Sequence, residues 1–205
     1  MPTKENRVCD YYFSPISPWS YLGHQRLLNL ATQHGIKIDM KPIEIAQMYA
    51  ASGGLPLAKR APQRQAYRLQ ELQRWSDYLA IPINLQPVFF PVSGDLAAKL
   101  LIAAQLAHGT EAALNLCSHI MRALWSEQKN ISDEATLTAL AGQAEMDGVA
   151  LLKSAETASV ASQYQQNTQQ AIAANVFGVP WYVFDGQAYW GQDRLDFLER
   201  AFAAS

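Results

Sequence analysis

Three short stretches carry side chains suited to chemistry, and they lie near the two ends of the chain. Ser17-Pro18-Trp19-Ser20 stands where an aromatic, β-branched run gives way to a helical pattern. Serine as N-cap with proline at the first helical position reads as a helix start. The unpaired N–H groups and dipole of such a terminus favour negative charge. A serine hydroxyl cannot exchange disulfides, but it can donate a hydrogen bond to the thiolate of an external thiol. Ser17 therefore reads either as a bare helix cap or as the holder of a bound thiol. Val179-Pro180 precedes a strand pattern. A cis peptide there would expose the main chain of Val179 to an extended cysteinyl peptide, whereas a trans proline would merely open the strand. Gln192-Asp193 opens the last helical pattern. Asp193 reads as its N-cap, and its carboxylate is also suited to an ammonium group. Gln192 and neighbouring N–H groups are suited to a carboxylate. A γ-glutamyl end carries both charges at that spacing.

The elements needed to position these residues are visible in the sequence pattern. Arg7–Phe13 is short, aromatic and β-branched, and reads as a buried strand. A helix follows from Ser17 to about Gln33, with Leu27, Leu30 and Ala31 on one face and Gly35 as its stop. Ile36–Lys41 alternates apolar and charged residues, the period of a strand. Near the other end, Trp181–Phe184 and Gln187–Trp190 flank Asp185-Gly186, a strong hairpin signal. A helix carrying Leu195, Leu198 and Phe202 on one face closes the chain. Between these units, from about Pro62 to Ala174, the patterns are helical, with Thr110 and Ser132 as candidate N-caps and Gly109 as a stop. Gly53–Pro56 and Ile81–Gly94 read as loops. A βαβ unit and a ββα unit must pair into one sheet, because either alone buries too little. The expected fold is α/β and thioredoxin-like, formed by residues 1–45 and 175–205, with residues 46–174 as an all-helical insertion.

Composition excludes several function classes. Hydrophobic residues make up 49% and charged residues 17% of 205, with a net charge of −2. No basic block invites nucleic acid or an anionic membrane surface. No apolar run approaches the roughly 20 residues of a membrane span. Residues Met1 to Val8 lack the apolar stretch of a signal peptide, so the expected location is the cytoplasm. Cys9 and Cys117 form no CxxC, and with the four histidines they give no metal-binding spacing. Cys9 sits in the first strand pattern and Cys117 in a helical one, and both read as small buried hydrophobes.

Together, S-P-W-S-Y-L-G, F-G-V-P and D-G-x-x-x-x-G-Q-D-R-L, in this order, resemble the 2-hydroxychromene-2-carboxylate isomerases. These are relatives of the kappa-class glutathione transferases in the DsbA-like branch of thioredoxin folds. The resemblance spans nearly the whole chain. It implies a glutathione-dependent isomerase that interconverts 2-hydroxychromene-2-carboxylate and trans-o-hydroxybenzylidenepyruvate, or a related aromatic keto acid, and that forms a homodimer. It implies Ser17 as the catalytic residue, in preference to Ser14 of the preceding Ser-Pro. It implies Val179 beside cis-Pro180 as the pairing site for the cysteinyl unit, and Gln192 and Asp193 as the γ-glutamyl contacts. Arg64, near Lys59, is the implied partner of the glycyl or substrate carboxylate. Tyr67, Trp75, Phe89, Phe90 and Trp125 are aromatic candidates for the substrate wall. A kappa-like transferase or peroxidase would use the same thiolate. A peptide-binding thioredoxin relative would need no γ-glutamyl contacts. Thiol–disulfide exchange at Cys9 is disfavoured by its position inside the strand.

Overall fold

A computed structural model describes residues 7–205. The polar start at residues 1–6, part of the stretch read above as lacking a signal peptide, lies outside the described residues. Four strands, β1 (Val8–Phe13), β2 (Lys37–Pro42), β3 (Trp181–Phe184) and β4 (Gln187–Trp190), form one sheet in the order β2-β1-β3-β4. β2 runs parallel to β1, while β3 is antiparallel to both β1 and β4. The parallel pair needs a crossover, supplied by α1 (Pro18–His34). Seven helices lie between β2 and β3: α2 (Ile45–Ser52), α3 (Pro62–Leu79), α4 (Asp95–His108), α5 (Thr110–Trp125), α6 (Glu134–Gln143), α7 (Gly148–Ala155) and α8 (Ala158–Ala173). α9 (Leu195–Ala204) ends the fold. Among the described residues, no helix is long and apolar enough to cross a membrane.

The side-chain alternation of β1 divides the core. Cys9, Tyr11 and Phe13 point to one face, where they join residues of α1, α4, α5 and α9 in a continuous apolar cluster. Tyr12 points to the other face and packs with Met48 of α2, Ala171 of α8, Val179 and Trp181. Both cysteines are buried, as expected from their surroundings, and burial pushes both thiols up in pKa. Thiolate chemistry at either is therefore suppressed.

The helix signals near the sheet stand where the sequence puts them. Ser17 caps α1, Pro18 is its first residue, and Gly35 ends it at φ 64°. Within the helical block the caps shift by one position. Asp133, not Ser132, caps α6, its carboxylate accepting the Thr136 N–H at 2.8 Å. Ser132 is held back in the preceding turn by Asn130 Oδ1, which accepts its N–H at 3.0 Å and its hydroxyl at 2.7 Å. Gly109 both ends α4 and precedes α5, so Thr110 is already helical. α2 precedes Pro62, where the helical patterns of the insertion become legible, and its eight residues carry no cap signal of their own.

One buried polar group ties α1 to the sheet and to the helical block. His24 of α1 is almost wholly buried. Its Nε2 lies 3.0 Å from the Leu114 carbonyl of α5, which can only accept, so Nε2 carries the proton. Nδ1 is then free to accept from the Tyr11 hydroxyl at 3.3 Å. Burial pushes the His24 pKa down to about 4, so the ring stays neutral. Between the ordinary value of 6.5 and about 4, the unfolded chain binds a proton there that the native chain does not. Stability must fall as pH drops through that window, by roughly 3 kcal/mol at its lower end. Urea unfolding midpoints measured across this window should decline in the parent, and His24→Gln should flatten the decline at the cost of lower stability at neutral pH.

Candidate active site

α1 emerges from β1 through Ser14-Pro15-Ile16, with the Ser17 N–H donating to the Ser14 carbonyl at 3.0 Å. The first turn of α1 leaves few donors unpaired. Pro18 has no N–H, the Ser17 carbonyl accepts from Tyr21 N–H at 3.0 Å, and Ser17 Oγ accepts the Ser20 N–H at 3.2 Å. Among the described residues the Trp19 N–H has no partner, and neither does the proton of the Ser17 hydroxyl. Ser17 is 6% exposed and Ser20 is fully buried. The second serine of the motif is therefore directed inward and belongs to the packing beneath the helix.

The Val179–Pro180 peptide is cis. Among the described residues nothing hydrogen-bonds the Val179 main chain, whereas the next carbonyl, that of Pro180, accepts the Gly191 N–H at 2.9 Å. That bond ties the proline loop to the turn at Gln192–Arg194, which forms a short 3-10 segment ahead of α9. Gly191 sits at φ 99°, a conformation that disfavours side chains, and a Cβ there would lie 2.5 Å from Asp193 Oδ1. Glycine thus lets the Asp193 carboxylate fold back over the turn.

Asp193 does not cap the final helix. Its carboxylate accepts from Arg194 Nη1 at 2.7 Å, and α9 starts from Arg194 without a side-chain cap. The 3-10 segment turns the chain before α9, so the carboxylate never meets the helix N–H groups. Gln192 is 2% exposed, and its Oε1 accepts from Arg26 Nη1 of α1 at 2.7 Å. Arg26 is a positioning partner with no mark in the sequence, because it reaches Gln192 from α1. Gly23, one turn earlier, allows this close approach: a Cβ there would lie 2.9 Å from Gln192 Cβ and 3.0 Å from the Tyr182 hydroxyl.

These elements border a cleft with two contiguous arms. One, about 430 Å³, is lined by Val179 and the turn from Gly191 to Arg194, with Trp75 of α3 opposite. The other, about 600 Å³, is lined by Gly53 to Leu55 and by Arg64 and Arg68 of α3. Trp19, Tyr49, Arg60, Tyr67, Phe177 and Trp190 border both. Val179, Gln192, Asp193 and Arg64 are therefore brought to one cleft. Ser17 and Pro180 are not among its lining residues, although their neighbours Trp19 and Val179 are. Lys59 also lies off its walls. Of the aromatic candidates, Tyr67 and Trp75 line it and Phe89, Phe90 and Trp125 do not. Trp125 is fully buried, with its ring 4.9 Å from that of Phe90. Residue type alone does not separate the two groups, although Phe89 and Phe90 lie in the loop ahead of α4 and Tyr67 and Trp75 in α3. Four further wall residues carry no mark of that role in the sequence: Arg60 and Phe177 lie in loops, Tyr49 in α2 and Trp190 at the end of β4, and only the tertiary fold brings them together. Phe177 packs edge-on against Trp190 at 4.7 Å, above Gly178.

Residues 8–203 match the family model described as DSBA-like thioredoxin domain. The chain belongs to that family. It is 29% identical over 194 residues to a 2-hydroxychromene-2-carboxylate isomerase of Sphingobium xenophagum, covering 94% of this chain and 96% of that one. It is 27% identical over 203 residues to human glutathione S-transferase kappa 1, covering 94% and 89%. A solved structure of a 2-hydroxychromene-2-carboxylate isomerase superposes with a TM-score of 0.80 at 27% identity, covering 96% of this chain and 95% of that one. Relatives of both kinds are enzymes, and the cleft lies where sheet, proline loop and α1 converge.

The Gly23 contact carries a prediction. Gly23→Ala forces α1 and the Gln192 turn apart, an overpacking cost of about 1–3 kcal/mol. Thermal melts should show the loss, and any ligand held at Gln192 and Asp193 should bind more weakly. Equal stability and affinity would mean that the turn moves freely.

Proposed function

We propose that this protein is a glutathione-dependent isomerase of the 2-hydroxychromene-2-carboxylate isomerase type. The observation that supports it best is the hydrogen bonding of Ser17. Its oxygen is an acceptor within the helix cap, so its proton is left to donate. With the Trp19 N–H and the α1 terminus, it forms a donor set suited to a thiolate and to nothing redox-active of the protein's own. The rest of the tripeptide has matching partners. The Val179 main chain suits the cysteinyl unit, Asp193 suits the γ-glutamyl ammonium, and Gln192 with the nearby N–H groups suits its carboxylate. Arg64 suits the glycyl carboxylate. On this reading Arg194, bound to Asp193, must share that carboxylate with the incoming ammonium.

The mechanism follows from holding the thiol as its anion. Donors at Ser17 and Trp19 lower its pKa and raise the thiolate fraction. Sulfur forms a bond to the electron-poor carbon of an unsaturated aromatic keto acid, and the electron pair of the double bond moves to the carbonyl oxygen. The former double bond is then single and rotates. The pair returns, the carbon–sulfur bond breaks, and the thiolate leaves unchanged. Proximity in the cleft supplies part of the acceleration. The kappa transferase relatives favour a second reading, in which the same thiolate attacks an electrophile and stays attached.

Two variants separate capping from thiol activation. Ser17→Asp keeps a good N-cap but has no proton to give and adds a repelling charge. It should fold as well as the parent, while the pKa of bound glutathione, read from ultraviolet thiolate absorbance, rises by about 1–2 units or more, the worth of a charge-assisted hydrogen bond. Ser17→Ala should lose about 1 kcal/mol of stability as well. An unchanged thiol pKa in both variants would remove Ser17 from the mechanism.

A further inference from the structure

The larger arm of the cleft carries positive charge that the fold does not neutralise. Arg60, Arg64 and Arg68 all border it. Its one carboxylate among the described residues, Glu71, is taken by Arg74 on the same helix. Arg60 is spent on protein groups: its Nε donates to the Leu55 carbonyl at 2.8 Å and its Nη2 to the Tyr49 hydroxyl at 3.0 Å. Arg64 is exposed and free among the described residues.

Arg68 differs from both. It is half-buried, and among the described residues it makes neither an ion pair nor a hydrogen bond. Its guanidinium lies over the rings of Phe90 at 5.5 Å and Trp125 at 5.9 Å. Contact with these two rings offers the guanidinium no oxygen acceptor and leaves its N–H edge without a partner among the described residues. That edge presents a planar fork, the geometry that matches a carboxylate. Burial and the neighbouring Arg60 charge push the Arg68 pKa down to about 10, the mark of a desolvated cation without a counter-ion.

Resting on the thiol-addition reading above, we propose that Arg68 holds the carboxylate of the second substrate and makes this enzyme selective for aromatic acids over neutral electrophiles. Phe90 and Trp125, absent from the cleft wall, act by seating this guanidinium. Tyr49, Tyr67 and Trp19 flank the same arm and offer apolar surface to the aryl ring. Arg64, one helical turn earlier, stays available to the glycyl carboxylate, so the two acids have separate partners.

The test is calorimetric titration with hydrocinnamate and with its amide, hydrocinnamamide, in the presence and absence of glutathione. Both are saturated and inert to thiolate. The acid should bind about tenfold or more tightly than the amide. Arg68→Met should abolish that preference with glutathione affinity unchanged. Arg64→Met should keep the preference and weaken glutathione. Equal binding of acid and amide to the parent would overturn the assignment, as would a preference that survives Arg68→Met. Should Arg68→Met lose its fold, Arg68→Lys carries the test. Its ammonium cannot form the paired bonds, so the preference should drop several-fold, and an undiminished preference would overturn the proposal. If glutathione fails to bind but the Arg68-dependent preference remains, the acid site stands and the thiol-addition reading falls.

Discussion

Asp10 pairs with Val183, Tyr11 with Tyr182 and Tyr12 with Trp181, and these three pairs join the two ends of the chain into one sheet. Every feature of the cleft depends on that junction. β1 delivers Ser17 and the start of α1, while β3 fixes the cis-proline loop just before it. Rings reinforce the pairing: Tyr11 and Tyr182, directly opposed, stack at 5.5 Å, and Tyr11 stacks on Phe13 at 4.5 Å. Closing so long a loop costs entropy that grows only slowly with its length. The helical block can therefore be large without preventing the ends from meeting.

The helical block contributes one wall of the cleft. α3 supplies Arg64, Arg68, Tyr67 and Trp75 to the cleft, and its own axis is fixed by contact with α1. His24 links α1 to α5 through a fully internal hydrogen bond, so the helix whose terminus faces the cleft is fastened at both sheet and insertion. Arg26 and Gly23, on successive turns of α1, hold the Gln192 segment close. One helix thus sets the spacing between Ser17 and Gln192 in the candidate site.

Much of this was legible in the sequence because it rests on local rules. Ser17-Pro18 specifies a helix start from its own side chains, Asp185-Gly186 closes a hairpin, and Gly35 ends a helix, none needing a distant partner. The α/β thioredoxin-like fold followed from the order of those units. What sequence could not give depends on tertiary contact. Asp193 looked like a helix cap, but a 3-10 segment and Arg194 redirect it. Arg26 meets Gln192 only because α1 and the last turn pack together. Tyr67, Trp75, Phe90 and Trp125 are all aromatic, and only tertiary packing decides which of them meet the cleft: Phe90, in the loop ahead of α4, and Trp125, at the end of α5, pack on each other away from it. Arg68 had no local mark at all, since its importance lies in lacking a partner.

The proposed function turns on recognition of glutathione through its thiolate. Isothermal titration of the unmodified protein with reduced glutathione and with S-methylglutathione addresses it directly. Clear binding of the free thiol is expected, with proton release that follows thiol ionisation, and markedly weaker binding of the S-methylated tripeptide, which has no anionic sulfur for Ser17 and Trp19 to hold. Equal binding of the two would show that sulfur is not recognised as an anion, and failure of both to bind would leave the donors at α1 as a helix cap alone.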